Sequence, residues 1–135
     1  MFQHQINYRV CYGDTDQMGY MYYGNYARLY EIARTELFRT IGFKYKDMEA
    51  NGVMMPVYEN YSKYLAPALY DDLLTIKVFI KTKPSVRCEF EYEIYNEAGN
   101  QLNYGKTTLV FSKVMDGKLC KPPQYLMELL KPYFG

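Results

Sequence analysis

Between Gln5 and Tyr12 apolar side chains occupy every second position, Ile6, Tyr8, Val10 and Tyr12, which is the period of a strand with one buried face. The spacing changes after a break at Gly13, Asp14 and Gly19. From Asn25 to Ile41 the residues Tyr26, Leu29, Tyr30, Ala33, Leu37 and Ile41 recur at helical intervals, predicting one long helix with Asn25 as its N-cap and Gly42 as its stop. A short helical turn is expected over Tyr45 to Ala50, ended by Gly52. An extended run from Val53 to Ala66 follows, tolerating Pro56 and closing at Pro67.

Strict alternation returns over Leu74 to Thr82, with Leu74, Ile76, Val78 and Ile80 on one face and Thr75, Lys77, Phe79 and Lys81 on the other. Arg87 to Tyr95 repeats it, with Cys88, Phe90, Tyr92 and Ile94 facing inward and Arg87, Glu89, Glu91 and Glu93 outward. A hairpin loop at Asn96 to Asn100 leads to a last strand from Leu102 to Val114. Asp116-Gly117 marks a turn, and Pro122-Pro123 opens a C-terminal helix. Strand, long helix, then a run of four strands predicts an α+β fold in which an antiparallel sheet covers the helix.

At 135 residues and 49% apolar the chain has the size and core content of one domain, residues 1–135. Its 16 Lys and Arg nearly cancel 15 Asp and Glu, so no broad field gathers nucleic acid or an anionic membrane. No stretch reaches the ~20 apolar residues of a membrane span and the first residues lack a signal-peptide order, so a cytoplasmic protein is expected. Cys11, Cys88 and Cys120 are odd in number and lack metal spacing, and are expected as small buried hydrophobes. The reading calls for no metal and no cofactor.

One residue count narrows the chemistry sharply. His4 is the only histidine, and it sits at the start of an edge-like strand where a solvated side chain is expected. Mechanisms built on Ser-His-Asp, Cys-His or a His-Asp dehydratase pair all need an imidazole beside the other reacting groups. Carboxylates, backbone dipoles and tyrosines remain.

They converge between the first strand and the long helix, where Tyr12 to Tyr26 reads Tyr-Gly-Asp-Thr-Asp-Gln-Met-Gly-Tyr-Met-Tyr-Tyr-Gly-Asn-Tyr. Free N–H groups at a helix start carry positive partial charge and can hold the oxyanion formed when a carbonyl is attacked. A carboxylate of ordinary pKa ~3.9 is ionised at neutral pH and serves as nucleophile or as base toward water. The plainer alternative is that Asp14, Thr15 and Asp16 form an Asx turn joining strand to helix.

The stretch Asp14-Thr15-Asp16-Gln17-Met18-Gly19, followed by Tyr22-Tyr23-Gly24-Asn25-Tyr26 and then Glu31, Ala33 and Arg34, resembles the signature of the hotdog-fold acyl-CoA thioesterases of the 4-hydroxybenzoyl-CoA thioesterase type, which include the Tol-Pal-associated enzyme. The order and lengths of the other elements, and Asp71-Asp72-Leu73 before the third strand, extend the likeness over nearly the whole chain. The resemblance implies a long helix wrapped by a five-stranded antiparallel sheet and hydrolysis of an acyl-CoA. It implies that Asp16 is the catalytic carboxylate and that Asp14 holds the loop. The N–H of Tyr23 would face the thioester oxygen, and Gly19 would let the loop approach the acyl group closely.

It further implies a homodimer or homotetramer with sheets joined edge to edge and sites between subunits. Lys83, Ser85 and Arg87 become candidates for the CoA phosphates, against the alternative that Lys83 and Arg87 only solvate a hairpin. Glu31 and Arg34, three apart, are expected as a helical ion pair, and Glu59 and Lys63 as residues of a wet face. A non-catalytic acyl-CoA or lipid-binding module is the competing reading. Neither the acyl group nor the choice between covalent and water-mediated attack follows from the sequence.

Overall fold

The computed structural model describes residues 1–135. Five strands form one antiparallel sheet: β1 (Phe2–Arg9), β3 (Val57–Tyr64), β4 (Leu73–Ile80), β5 (Arg87–Tyr95) and β6 (Gln101–Val110), in the order β1-β4-β5-β6-β3. The long helix α1 (Gly24–Arg39) lies on its inner face, giving the expected α+β hotdog arrangement. A short helix α2 (Tyr45–Ala50), a two-stranded ribbon of β2 (Val53–Met54) with β7 (Ser112–Lys113), and α3 (Gln124–Leu130) complete the chain. No helix is long and apolar enough to cross a membrane.

The alternating stretches of β4 and β5 land as expected, whereas the first ends at Arg9 and leaves Tyr12 exposed in the turn that follows. Leu74, Ile76, Val78 and Ile80 of β4 and Cys88, Phe90, Tyr92 and Ile94 of β5 are all buried, and pair across register steps such as Ile76 with Ile94 and Val78 with Tyr92. Against them α1 buries Tyr26, Leu29, Tyr30, Ala33, Leu37 and Phe38. Each of the larger aliphatic and phenyl side chains among these, fully removed from water, contributes about 1.5–3 kcal/mol before entropy is counted. The helix ends where Gly42 adopts φ 78°. The Phe43 N–H bonds Phe38 O and the Gly42 N–H bonds Arg39 O, a Schellman closure sealed by the Phe38 and Phe43 rings 5.0 Å apart.

Several expectations are corrected. Asn25 does not cap α1, which starts at Gly24 with Tyr23 as its N-cap; instead Asn25 Nδ2 donates to Asp14 O at 2.8 Å, tying the helix to the preceding loop. The run from Val53 to Ala66 is divided before Val57, because Pro56 has no N–H to continue a ladder. The last strand breaks at Phe111, whose N–H turns to Val86 O. Cys11 is exposed and only Cys88 is fully buried. His4 is half-buried, opposite Val78 at the sheet edge.

Glu31 and Arg34 form no ion pair. Arg34 falls on the buried stripe of α1 and donates to Tyr92 Oη at 3.0 Å, while Glu31 stays exposed and accepts from Thr35 at 3.5 Å.

Candidate active site

The loop from Cys11 to Tyr23 is held by a small set of long-range bonds. It starts in a 3-10 turn over Tyr12–Asp14 and doubles back as Asp16 N–H donates to Tyr20 O at 2.8 Å. Met21 N–H then donates to Ala68 O at 2.8 Å, stitching the loop to the segment between β3 and β4. Gly19, with φ 81°, closes the tight turn by donating to Asp16 O at 3.0 Å.

The two carboxylates in this loop are used differently. Asp14 is buried, and its Oδ2 accepts from Tyr8 Oη at 2.7 Å and from Cys11 N–H at 2.8 Å. Arg28 reaches its Oδ1 at 3.4 Å, and also donates to Tyr8 Oη at 2.6 Å. The Asp14 carbonyl accepts from Tyr22 N–H and from Asn25 Nδ2, both at 2.8 Å. Burial alone would raise its carboxyl, but the Tyr8 hydroxyl, the Cys11 N–H and the Arg28 cation together hold it below the usual carboxylate range. Asp14 is therefore occupied on every side and serves as the hub that sets strand, loop and helix together.

Asp16 makes the Asx turn on one oxygen only. Its Oδ1 accepts from Met18 N–H at 2.9 Å, and Oδ2 has no partner in the chain. The carboxylate borders a pocket of about 340 Å³ whose other walls are Met18, Tyr20, Met21, Tyr23, Tyr26, Tyr64, Leu65, Ala66 and Pro67. The N–H of Tyr23 donates to no backbone or side-chain acceptor, and it stands at the positive end of a 16-residue helix. A carboxylate with one oxygen unbonded and a helix-start residue with an unpaired N–H, both bordering one largely apolar pocket, are groups suited to attack on a carbonyl.

The pocket thus brings Asp16 and Tyr23 together, with Gly19 shaping the loop just behind. Lys83, Ser85 and Arg87 are not brought to it within one chain. Arg87 pairs with Val110 while Tyr64 pairs with Asn103, which places the basic segment about 23 Å along the sheet at the usual strand rise. Lys83 lies instead beside Lys131 and Glu128 of the C-terminal segment, and Arg87 in a polar depression with Glu59, Glu89 and Lys106. Glu59 and Lys63 are exposed, as expected of a wet face, and His4 lies outside the pocket.

Sequence reasoning missed the wall from Tyr64 to Pro67 and the roles of Tyr8 and Arg28. An aromatic at the end of a strand, followed by a Pro-closed turn, was the only local signal for the first. Nothing local marks the second, since Tyr8 and Arg28 meet Asp14 only through the packing of β1 against α1.

Fold and site together define a hotdog-fold protein in which Asp16 and Tyr23, the residue before the long helix, border one largely aromatic pocket. A family model described as the thioesterase-like superfamily matches residues 10–130, and the chain belongs to that superfamily. It is 34% identical over 102 residues to the acyl-CoA thioester hydrolase YbgC of Escherichia coli, a match covering 76% of each chain. It is 38% identical over 90 residues to the Bacillus subtilis protein YneP, covering 67% of this chain and 65% of that one. Among solved structures, the DHNA-CoA thioesterase of Staphylococcus aureus superposes with a TM-score of 0.91 at 30% identity, over 98% of this chain and 89% of that chain.

Proposed function

We propose that the protein hydrolyses an acyl-CoA thioester to the free acid and CoA, with Asp16 as nucleophile or general base and the Tyr23 N–H polarising the thioester carbonyl. The observation that carries this is the division of labour in the loop: Asp14 has every oxygen engaged, while Asp16, which borders the pocket together with Tyr23, keeps Oδ2 unbonded. The E. coli and S. aureus relatives, named for acyl-CoA thioester hydrolysis, support the same substrate class.

In the covalent route Oδ2 bonds to the acyl carbon, the C–S bond breaks to release CoA thiolate, and water then cleaves the mixed anhydride. In the other route Asp16 takes a proton from the water that attacks. In both, negative charge on the former carbonyl oxygen is met by the Tyr23 N–H.

The working unit proposed is a homodimer, or a homotetramer built from two such dimers, in the reducing cytoplasm where its three unpaired cysteines are stable. The strand β3 lies at the sheet edge, paired only with β6, and exposes Tyr58, Tyr61 and Tyr64. An unpaired, aromatic edge of this kind is a template for pairing with another strand. Antiparallel pairing of β3 with its copy reverses the direction of the second sheet. The segment carrying Lys83, Ser85 and Arg87 in one copy then lies toward the Asp16 end of the other, where the CoA phosphates need cations.

The test follows thiol release from a panel of acyl-CoA esters by the wild-type chain and Asp16→Asn. We expect Asp16→Asn to lower kcat by at least about 10²-fold with the fold and ester binding intact. Near-normal turnover by the variant refutes the role of Asp16. Tight binding of esters by the wild type without any cleavage replaces this reading with that of a binding module. A monomer by light scattering at micromolar concentration refutes the shared site.

A further inference from the structure

Of the nine glycines, only Gly24 and Gly105 have another side chain where a Cβ would stand. At Gly105 that side chain is the buried Tyr30, whose ring lies flat against Tyr92 at 4.0 Å, so core packing explains the glycine. Gly24 has no such explanation. It is the first residue of α1, it is exposed, and its φ is not positive, so neither burial nor backbone conformation asks for glycine there. A helical glycine is about 0.5–1 kcal/mol less favourable than alanine. What fills the place of its Cβ is the ring of Tyr22, with Cε2 at 2.8 Å and Cδ2 at 3.2 Å. That ring is 48% exposed and adds little to the core.

Tyr22 does not border the pocket, yet its backbone links the Asp14 loop to the helix. Its N–H donates to Asp14 O at 2.8 Å, and its C=O accepts from Asn25 N–H at 2.9 Å. In a trans peptide the C=O and the N–H of the next residue point in opposite directions. With the Tyr22 carbonyl turned to Asn25 in the first turn of α1, the Tyr23 N–H is directed away from that turn, and it has no acceptor in the chain. The Tyr22 ring also meets the Tyr23 ring, with centroids 4.9 Å apart. The Tyr23 hydroxyl and, less strongly, the Asp16 charge raise the Tyr22 phenol above its ordinary value.

We propose that Tyr22 is a positioning residue: its ring, seated on Gly24 and against Tyr23, holds the peptide between residues 22 and 23 in the orientation that presents the Tyr23 N–H to the developing oxyanion. This rests on the thioesterase reading above. Without the seat that peptide keeps only its hydrogen bonds, and the N–H is less often aligned when the reaction occurs. An interaction made in the transition state is then weakened while substrate binding is not, so kcat falls and KM stays.

The experiment measures kcat and KM for acetyl-, hexanoyl-, dodecanoyl- and benzoyl-CoA, together with melting temperatures, for wild type, Gly24→Ala, Tyr22→Ala, Tyr22→Phe and the double variant carrying both alanines. Gly24→Ala displaces the ring and is expected to lower kcat about tenfold or more at nearly constant KM, with a melting temperature equal to or above that of wild type. Tyr22→Ala gives a similar loss, and Tyr22→Phe, which keeps the ring, stays within about threefold of wild type. The double variant is no slower than the slower single one, because both remove the same contact. Wild-type kcat in Gly24→Ala overturns the proposal. So does a loss of kcat matched by a lower melting temperature, which is general loosening, or a double variant showing the product of the two single losses. Release of no thiol from any ester by wild type overturns the thioesterase reading itself and this inference with it.

Discussion

The hydroxyl of Tyr8 donates to Asp14 Oδ2 across 2.7 Å, joining the end of β1 to the loop that precedes α1. Arg28 closes the same group from the helix, with its guanidinium 5.4 Å from the Tyr8 ring centroid and 2.6 Å from its hydroxyl. Three elements thus meet on one carboxylate, and the loop between them has little freedom to move Asp16 relative to the start of α1. Preorganisation of this sort lets the site hold charge without reorganising when the reaction occurs.

Replacing that hub tests its worth and its pH dependence together. Asp14→Asn puts an amide donor among three groups that all donate, and is expected to lower stability by about 1–3 kcal/mol at pH 7 in urea unfolding. Because the folded carboxyl is held below its ordinary value of 3.8, its contribution is present above that value and lost as pH falls through the folded one. The gap between wild type and variant therefore stays constant near neutrality and narrows below about pH 5. A gap that is flat down to pH 2 contradicts a charge-dependent role.

At Tyr23 the ring and the N–H are separable. The residue has φ −59° and ψ −29°, a conformation proline adopts without strain, so Tyr23→Pro removes the N–H at little cost to φ. Tyr23→Ala removes the ring and keeps the N–H. We expect Tyr23→Ala to stay within about tenfold of wild type in kcat, and Tyr23→Pro to fall a further 10²-fold or so, as for loss of one oxyanion donor. Equal kcat in the two variants shows that the N–H is not that donor.

The contact between Gly105 and Tyr30 predicts a coupled pair. Gly105→Ala drives a methyl into the Tyr30 ring and is expected to cost about 1–3 kcal/mol, read as a drop in melting temperature. Combining it with Tyr30→Leu relieves the clash, so the double variant is less destabilised than the sum of the two single ones. Simple additivity rules out the clash as the cause.

Arg34 is a buried cation with no carboxylate within salt-bridge distance. Its Nε has no partner, and its guanidinium lies 5.8 Å from the Phe90 ring centroid. Desolvation of such a charge opposes what its bond to Tyr92 returns. Arg34→Met, which keeps the length and removes the charge, is expected to leave stability unchanged or raise it by about 1 kcal/mol. Arg34→Ala, which also empties the space, lowers it. Unfolding midpoints decide the matter: a loss above about 2 kcal/mol in Arg34→Met means the cation's bonds outweigh its desolvation.

Much of the fold and part of the site are legible along the chain, because they rest on local rules. Period-two burial placed β4 and β5, the 3.6-residue stripe placed α1, and only a glycine comfortably takes the φ that ends it at residue 42. The loop from Asp14 to Tyr26 was legible as a candidate site because it places carboxylates next to a helix start. Composition and spacing do not separate the two carboxylates, which only the family resemblance tells apart; the tertiary structure supplies the physical difference, since Asp14 and Asp16 are the same residue two positions apart in one turn. What separates them is Tyr8 and Arg28, brought from β1 and α1 to one of them. It also decided that Arg34 turns inward to Tyr92 rather than pairing with Glu31, and that Tyr64 lines the pocket. In each case spacing states which groups are near in sequence, whereas burial and hydrogen-bond partners depend on segments that meet only when the sheet wraps the helix.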